Sequence, residues 1–600
     1  MNTEKPRTAR ERSDEFLKIS GQFKLGSLVT ESSHPVTANL SDVAKKDIAA
    51  ALDLLFQVDG DVVAKYREFA GSGRAEGIKE TVLRALKNGG KIFFTGCGST
   101  GRLSIQLVSI WRDFWQRQHS AQSRDLEHRA FSVMAGGDFA LIKSVEGFED
   151  FTDFGRKQIG DLGVSNKDVV FAITEGGETS FVIGTAWKGV EVGAKVYFIY
   201  NNPDAILCEH VKRSREVIQD SRIEKINLTT GPMAITGSTR MQATSIQLAV
   251  VMTVLEMVVR DLTGTGGSAG VPQEFLAKLA AMHANLRTPE VLSQLAKLVA
   301  LEESVYRRGH KNNYYADQIG IDVLTDTTER SPTYCTPPFR KFDDTTATES
   351  WAFLFLPADG SDQAWRKIIK REPNCVEWDE TTIRALVGEE KFARTAEVVK
   401  KISRAELMRF KIGIEGLAYR TLKSGDSAVG IVTEAEKESL FSAGGFHRDQ
   451  LEAACATRPP ASFVLPATSR RLGHGFLRCV RPGAAAAHRL STQRRHAGRR
   501  SCCSMLSTCT MVRLGRVMGN YMIWVVASNL KLIDRATRYI QRLTGLNYED
   551  SNRLLFEVVE YVEPRMKSDQ AYPPVVGLAV MRARHNLTNE QAEQKLKETQ

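Results

Sequence analysis

Short apolar runs, each closed by a polar break and followed by a longer amphipathic stretch, recur through residues 91–260. The first run, Lys91-Ile-Phe-Phe-Thr, breaks at Gly96-Cys97-Gly98-Ser99-Thr100-Gly101-Arg102-Leu103. The second, Val169-Val-Phe-Ala-Ile173, ends in Thr174-Glu175-Gly176-Gly177-Glu178-Thr179-Ser180, with a helical pattern from Phe181. The third, Lys195–Tyr200, stops at Asn201-Asn202-Pro203-Asp204. Apolar runs of this length between turn formers read as buried strands. Strand, turn and helix repeated at crossover spacing predict an α/β fold, a doubly wound parallel sheet with helices on both faces. Past about Glu274 come Ala- and Leu-rich helical segments, then strand patterns at Trp351–Pro357 and Ser427–Val432. Helices are predicted at Tyr548–Val562, at Val575–Arg584 and from Asn589. The longest apolar stretch, Ile246–Val259, is broken by Glu256 and is too polar to span a bilayer, so no membrane partner is expected.

The breaks carry the chemistry. Ligands of open parallel sheets gather at the carboxyl ends of the strands. Glycines there let backbone approach a ligand, and the following helix offers unpaired N–H groups and partial positive charge. Gly98, Ser99, Thr100, Gly101 and Arg102 form one such corner; Gly177, Thr179 and Ser180 form another, and both suit a phosphate. Ser238 and Thr239 repeat the hydroxyl pattern further on. All six hydroxyls also fit helix capping, a role compatible with anion binding because both use the same terminus. No acidic residue closes a strand about twenty residues after the first corner, which argues against a dinucleotide cofactor. Cys97 reads as a small residue that fits a tight turn, with a nucleophilic role as the alternative.

Six hundred residues exceed one core and predict two or three domains. The stretch Met1–Lys18 is densely charged and has no apolar core, unlike a secretory signal. Nine cysteines lie scattered without C-x-x-C pairs or histidines at zinc spacing. A cytoplasmic protein with no structural metal and no cofactor is the simplest expectation. Between Ala456 and Cys503 stand ten arginines, no lysine and no acidic residue, which equals the whole formal excess of +10. The rest of the chain is formally neutral, so the alkaline pI of 9.0 does not imply nucleic-acid binding. That segment reads either as a basic tail for acidic partners or as GC-rich coding sequence out of frame. Its composition predicts poor packing where a strand and helix of a second domain belong.

These segments, in this order, resemble the sugar isomerase (SIS) domain family, in the group of N-acetylmuramic acid 6-phosphate etherase and the glucokinase regulatory protein. The matching motifs are Leu28–Pro35, the Gly96–Leu103 corner, Ala135-Gly136-Gly137-Asp138 and Ser144-Val145-Glu146-Gly147-Phe148-Glu149-Asp150. The Thr174–Ser180 corner, Asn202-Pro203-Asp204 and Thr236–Met241 follow, then Leu506–Asn520 and Ser528–Leu532. The resemblance implies two SIS-type domains, the second degenerate, with a helical C-terminal lid. The implied bounds are an extension at 1–44, domains at 45–270 and 271–545, and the lid at 546–600.

Two functions follow from the resemblance. Etherases of the group eliminate lactate from a sugar 6-phosphate with two glutamates. The second glutamate of the V-E-G-x-E-D motif is Glu149 here, but the first falls on Ile110, which cannot exchange a proton. Glu149 is therefore catalytic only if the chain is an etherase; otherwise it is a sugar-hydroxyl ligand or a surface carboxylate. The leading expectation is a regulator like the glucokinase regulatory protein, not an enzyme. It would bind a fructose phosphate or an amino-sugar 6-phosphate and act on a partner such as a sugar kinase. A lyase, and a scaffold without ligand, are the alternatives. The resemblance also implies a basic phosphate ligand just upstream of Met505, where only Arg499 or Arg500 stands.

Overall fold

A computed structural model describes residues 8–22, 25–145, 147–456, 462–465, 504–527, 530–567 and 572–599. Most of the arginine-rich segment, with Arg499 and Arg500, lies outside the described residues, as do Glu146, Ser528 and Asn529.

The apolar runs form a five-stranded parallel sheet: β1 (Ile92–Gly96), β2 (Ala130–Met134), β3 (Val169–Ile173), β4 (Lys195–Tyr200) and β5 (Ile223–Asn227). Their order is β2-β1-β3-β4-β5. Alternation along the strands sends side chains to two cores. Ile92, Phe94, Phe171 and Ile199 face helices Arg74–Lys87, Ser99–Gln116 and Gln242–Thr263. Phe93, Val170, Ala172 and Phe198 face the other side, against Phe181, Val182 and Phe154. Helix Gln242–Thr263 is long and apolar enough to cross a membrane, but 94% of its apolar window is buried inside the protein.

The second sheet repeats the plan. Strands β6 (Asn312–Ala316), β7 (Ala352–Phe355), β8 (Ser427–Ile431) and β9 (Ser462–Leu465) pair in parallel in the order β7-β6-β8-β9. That is the order of the first four strands of the first sheet. A short antiparallel pair, β10 (Val517–Met518) with β11 (Tyr521–Met522), precedes four C-terminal helices. These are Leu530–Thr544, Tyr548–Lys567, Val575–His585 and Asn589–Thr599. The first amphipathic helix, Ala9–Ile19, docks on them, with Arg12 paired to Glu563 at 3.0 Å and Ser13 bonded to Asn552 at 2.6 Å. One apolar cluster runs from Leu25 through both sheets to Leu596, and a second, from Val62 to Leu279, lies on the other face of the first sheet.

The sheets meet through the helices that follow β1 and β6. Arg102 pairs with Glu329, and Gln106 donates to Asp322. Ser109 donates to the Ile368 carbonyl at 3.1 Å. Close by, Arg240 pairs with Asp326 at 2.9 Å and Arg330 with Glu302 at 3.1 Å.

Candidate functional site

Parallel pairing of β1 with β3, register Thr95 to Ala172, sets the two predicted corners side by side. Neighbouring strands stand only about 4.8 Å apart. At the first corner, a Cβ on Gly96 would lie 2.3 Å from the Thr100 carbonyl carbon, so only glycine closes this turn. Gly98 follows at φ 55°, in the left-handed region that favours glycine. The Thr100 hydroxyl accepts the Cys97 N–H at 3.0 Å and donates to the Cys97 carbonyl at 2.9 Å. Thr100 therefore shapes the loop and is buried in it, while Gly98 and Ser99 stay half-exposed at its rim.

The second corner is built likewise. Gly177 has φ 77°, and a Cβ there would meet Leu207 at 2.8 Å. Thr174 accepts the Gly177 N–H at 3.3 Å and touches the Thr179 hydroxyl at 3.2 Å. Among the described residues, no side-chain cap bond is made at Gly98 or Thr179, the N-cap residues of helices Ser99–Gln116 and Ser180–Glu191. Elsewhere Asp47, Ser120, Asp379 and Ser403 cap their helices. The Thr100 and Phe181 N–H groups bond to the Cys97 and Glu149 carbonyls, so among the described residues the first-turn N–H groups of Ser99, Gly101, Ser180 and Val182 are those that an anion can take.

Glu149 stands between the corners. Its carbonyl accepts the Phe181 N–H at 3.0 Å, and its carboxylate lies 3.7 Å from the Cys97 sulfur. Burial, with Glu149 adding to it, pushes the Cys97 thiol well above its ordinary range. Cys97 is thus a neutral thiol, without thiolate reactivity. Burial, again reinforced by Glu149, raises the Asp150 carboxyl.

A third loop closes the rim. Gly237 has φ 72°, and a Cβ there would fall 2.5 Å from the Tyr539 hydroxyl oxygen. Ser238 is buried and its N–H bonds to the Ile235 carbonyl at 2.9 Å; Thr239 is half-buried. Thr244 ties this loop to the second corner through the Glu175 carboxylate at 3.1 Å.

The C-terminal helix Leu530–Thr544 supplies cations that the sequence reading left without a role. Lys531 pairs with Glu178 at 2.6 Å, and Arg213 holds the other carboxylate oxygen at 2.6 Å. Burial alone would raise the Glu178 carboxyl, but Lys531 and Arg213 outweigh it and hold it at about 2. Burial disfavours the Lys531 charge, yet Glu178 and Glu149 raise its ammonium above the ordinary range. One turn on, Arg535 and Arg538 grip Glu31, at 2.5 Å and 3.1 Å, and keep that buried carboxylate ionised. Lys531 and Glu31 both lie in motif segments of the sequence, so their positions were marked there although their pairing was not.

One predicted position, Arg102, serves the inter-sheet contact. Arg102 is 0% exposed and bonds to Glu329, leaving its Nε and Nη2 without a hydrogen-bond partner among the described residues. Ile110 is 4% exposed in the apolar cluster with Trp111, Phe114 and Trp115. Among the described residues no group of three or more His, Cys, Asp or Glu is placed to hold a metal.

Parallel sheets flanked by helices, with loops gathered at the strand tips, make this an α/β protein. The family model of the glucokinase regulatory protein N-terminal SIS domain matches residues 75–187. N-acetylmuramic acid 6-phosphate etherase of Thermosynechococcus vestitus is 32% identical over 219 residues, 36% of this chain and 63% of the relative. That of Yersinia pestis is 30% identical over 228 residues, 38% of this chain and 69% of the relative. The chain thus spans just under two thirds of the length of the first of these relatives. The solved tagatose-6-phosphate ketose/aldose isomerase from Escherichia coli is similar at TM-score 0.40 and 9% identity, over 79% of this chain and 94% of that one. The chain belongs to the SIS family, in the group that includes these etherases.

Proposed function

We propose that the chain is a sugar-phosphate-binding regulator, with one phosphosugar seated at the tips of β1 and β3. The first-turn N–H groups after Gly98 and Thr179, with Ser99, Thr179 and Ser180, would take the phosphate. Gly101 and Gly177 allow the close approach, and Ser238 and Thr239 line the rim. Glu149 would accept sugar hydroxyls, and Lys531 would bring the C-terminal helix onto the bound anion. Thr100 acts by shaping the corner, and Arg102 by joining it to the second sheet.

The observation that carries a binding role over catalysis is Ile110, buried among aromatic side chains where an elimination needs a second proton-transfer group. Two carboxylates of the site, Glu178 and Glu31, do not replace it. Glu178 and Glu31 are clamped by cations and kept ionised, which makes them poor proton donors. Because its site adjoins the helices that join the two sheets, a bound ligand would bias how the sheets pack, and a partner such as a sugar kinase would read that state.

Calorimetric titration with fructose 6-phosphate, fructose 1-phosphate and N-acetylmuramic acid 6-phosphate tests the proposal. Binding of at least one is expected; silence for all three refutes it. The etherase names of the relatives favour a second reading, a lyase that uses Glu149. Release of lactate from the muramic substrate, lost in Glu149→Gln, would decide for that reading.

A further inference from the structure

The second corner is held from behind. Its successive carbonyls, Thr174 to Glu178, each accept a hydrogen bond from outside the loop. Gln247 Nε2 donates to the Thr174 carbonyl at 3.1 Å, and the Asn201 N–H to that of Glu175 at 2.9 Å. Asn202 Nδ2 donates to the Gly176 carbonyl at 2.9 Å, the Ser214 hydroxyl to that of Gly177 at 2.7 Å, and Arg213 Nε to that of Glu178. At the first corner, by contrast, the Cys97 and Gly98 carbonyls are taken by Thr100 and Arg102 of the same turn.

The brace is buried and interlocked. Asn201, Asn202, Ser214 and Gln247 are each 0% exposed. Gln247 Nε2 also donates to Asn201 Oδ1 at 2.6 Å, and Asn201 Nδ2 to the Leu228 carbonyl at 2.6 Å. Asn202 reaches the N-terminal motif: its Oδ1 accepts the Thr30 N–H at 3.1 Å, and its Nδ2 donates to the Thr30 hydroxyl at 3.0 Å.

In a planar trans peptide the carbonyl of one residue and the N–H of the next point in opposite directions. Holding back the Glu175, Gly177 and Glu178 carbonyls therefore turns the Gly176, Glu178 and Thr179 N–H groups away from the brace. Among the described residues these three N–H groups make no hydrogen bond, whereas that of Gly177 bonds to the Thr174 hydroxyl. None of the three belongs to helix Ser180–Glu191, which begins after them. Backbone N–H groups gathered in this way make an anion-binding concavity. The Glu178 carboxylate, which would repel an anion here, is neutralised by Lys531 and Arg213.

We infer that Asn202, Ser214 and Gln247 are positioning residues for the phosphate: they pull the loop's carbonyls back and so aim its N–H groups at the oxyanion. The inference rests on the reading of these strand tips as a phosphosugar site, and adds three loop donors to the helix starts. Because the brace orders the loop when the chain folds, binding does not bear that cost. A carbonyl released from the brace can rotate toward the anion, setting a repelling oxygen where an N–H attracted.

Isothermal titration of the full chain with the three sugar phosphates, and separately with inorganic phosphate, tests this in wild type, Ser214→Ala and Asn202→Asp. Ser214→Ala frees the Gly177 carbonyl and places a good helix former in helix Lys212–Gln219. Asn202→Asp sets a carboxylate oxygen against the Gly176 carbonyl. Each is expected to weaken the sugar phosphate and inorganic phosphate by the same factor, about tenfold or more. A merely structural role would lower the urea midpoint and leave the affinity of the folded chain unchanged. Hydrogen exchange of the wild type gives a readout without a variant: the bound sugar phosphate is expected to slow the amides of residues 176–179. Unchanged affinity in folded variants, or amides at 176–179 that exchange as fast in the bound wild type as in the free one, overturns the inference and leaves the proposed function standing. A wild type silent to all three sugar phosphates refutes the proposed function and this inference with it.

Discussion

Glu178→Gln tests whether the C-terminal helix is held to the site by charge. The Glu178 carboxyl lies at about 2 in the folded chain, against an ordinary 4.5. A folded value below the unfolded one stabilises the fold above the unfolded value, and the benefit is lost as pH falls through the folded value. At about 1.36 kcal/mol per pH unit, the difference is worth roughly 3 kcal/mol at neutral pH. Removing the charge should therefore cost about 3 kcal/mol at pH 7, where Lys531 and Arg213 lose their shared anion. The gap between wild type and variant should narrow below about pH 4.5 and close near pH 2, because the wild-type carboxyl then becomes neutral too. Other acid-sensitive carboxylates, such as Glu593, are common to both chains and cancel. Urea unfolding across this pH range measures the gap. A gap below about 1 kcal/mol at pH 7, or one independent of pH, would refute the argument.

Three further outcomes are expected. Glu329→Gln strands the buried Arg102 charge and should cost about 3–5 kcal/mol in urea unfolding, while Arg102→Met in the same chain restores much of it; an unchanged midpoint would sink the inter-sheet clamp. Gly237→Ala forces a Cβ against the Tyr539 hydroxyl in a left-handed backbone, so it should lose about 1–3 kcal/mol and weaken fructose 6-phosphate binding by calorimetry. Cys97, its thiol raised by burial and Glu149, should resist iodoacetamide at pH 8 at least about tenfold relative to a free thiol by peptide mass spectrometry; rapid alkylation contradicts the raised thiol.

Much of the first sheet is legible in the linear order. β3 and β4 run over the residues their apolar patterns mark, because a strand buried on both faces writes itself as a continuous apolar run. The C-terminal helices fall at Tyr548–Lys567, Val575–His585 and Asn589–Thr599, close to their predicted spans. Helix Gly320–Tyr334 is the contrary case. Asp322, Asp326, Glu329 and Arg330 are charged, yet all four are buried. Gln106, Arg240 and Arg102, which pair with Asp322, Asp326 and Glu329, lie far away in sequence, and Glu302, which pairs with Arg330, lies on the preceding helix Pro289–Arg307. No local pattern marks a polar helix as core when its counter-charges arrive from another sheet.

The site divides along the same line. Its corners are local devices, since glycine at a left-handed turn and hydroxyls at a helix start act within a few residues, and the order of amino acids alone determined them. Which groups surround the corners was decided in three dimensions. Lys531 reaches Glu178, and Arg535 reaches Glu31. A carboxylate takes its role from the cation or N–H beside it, and folding alone brings those partners within hydrogen-bonding distance.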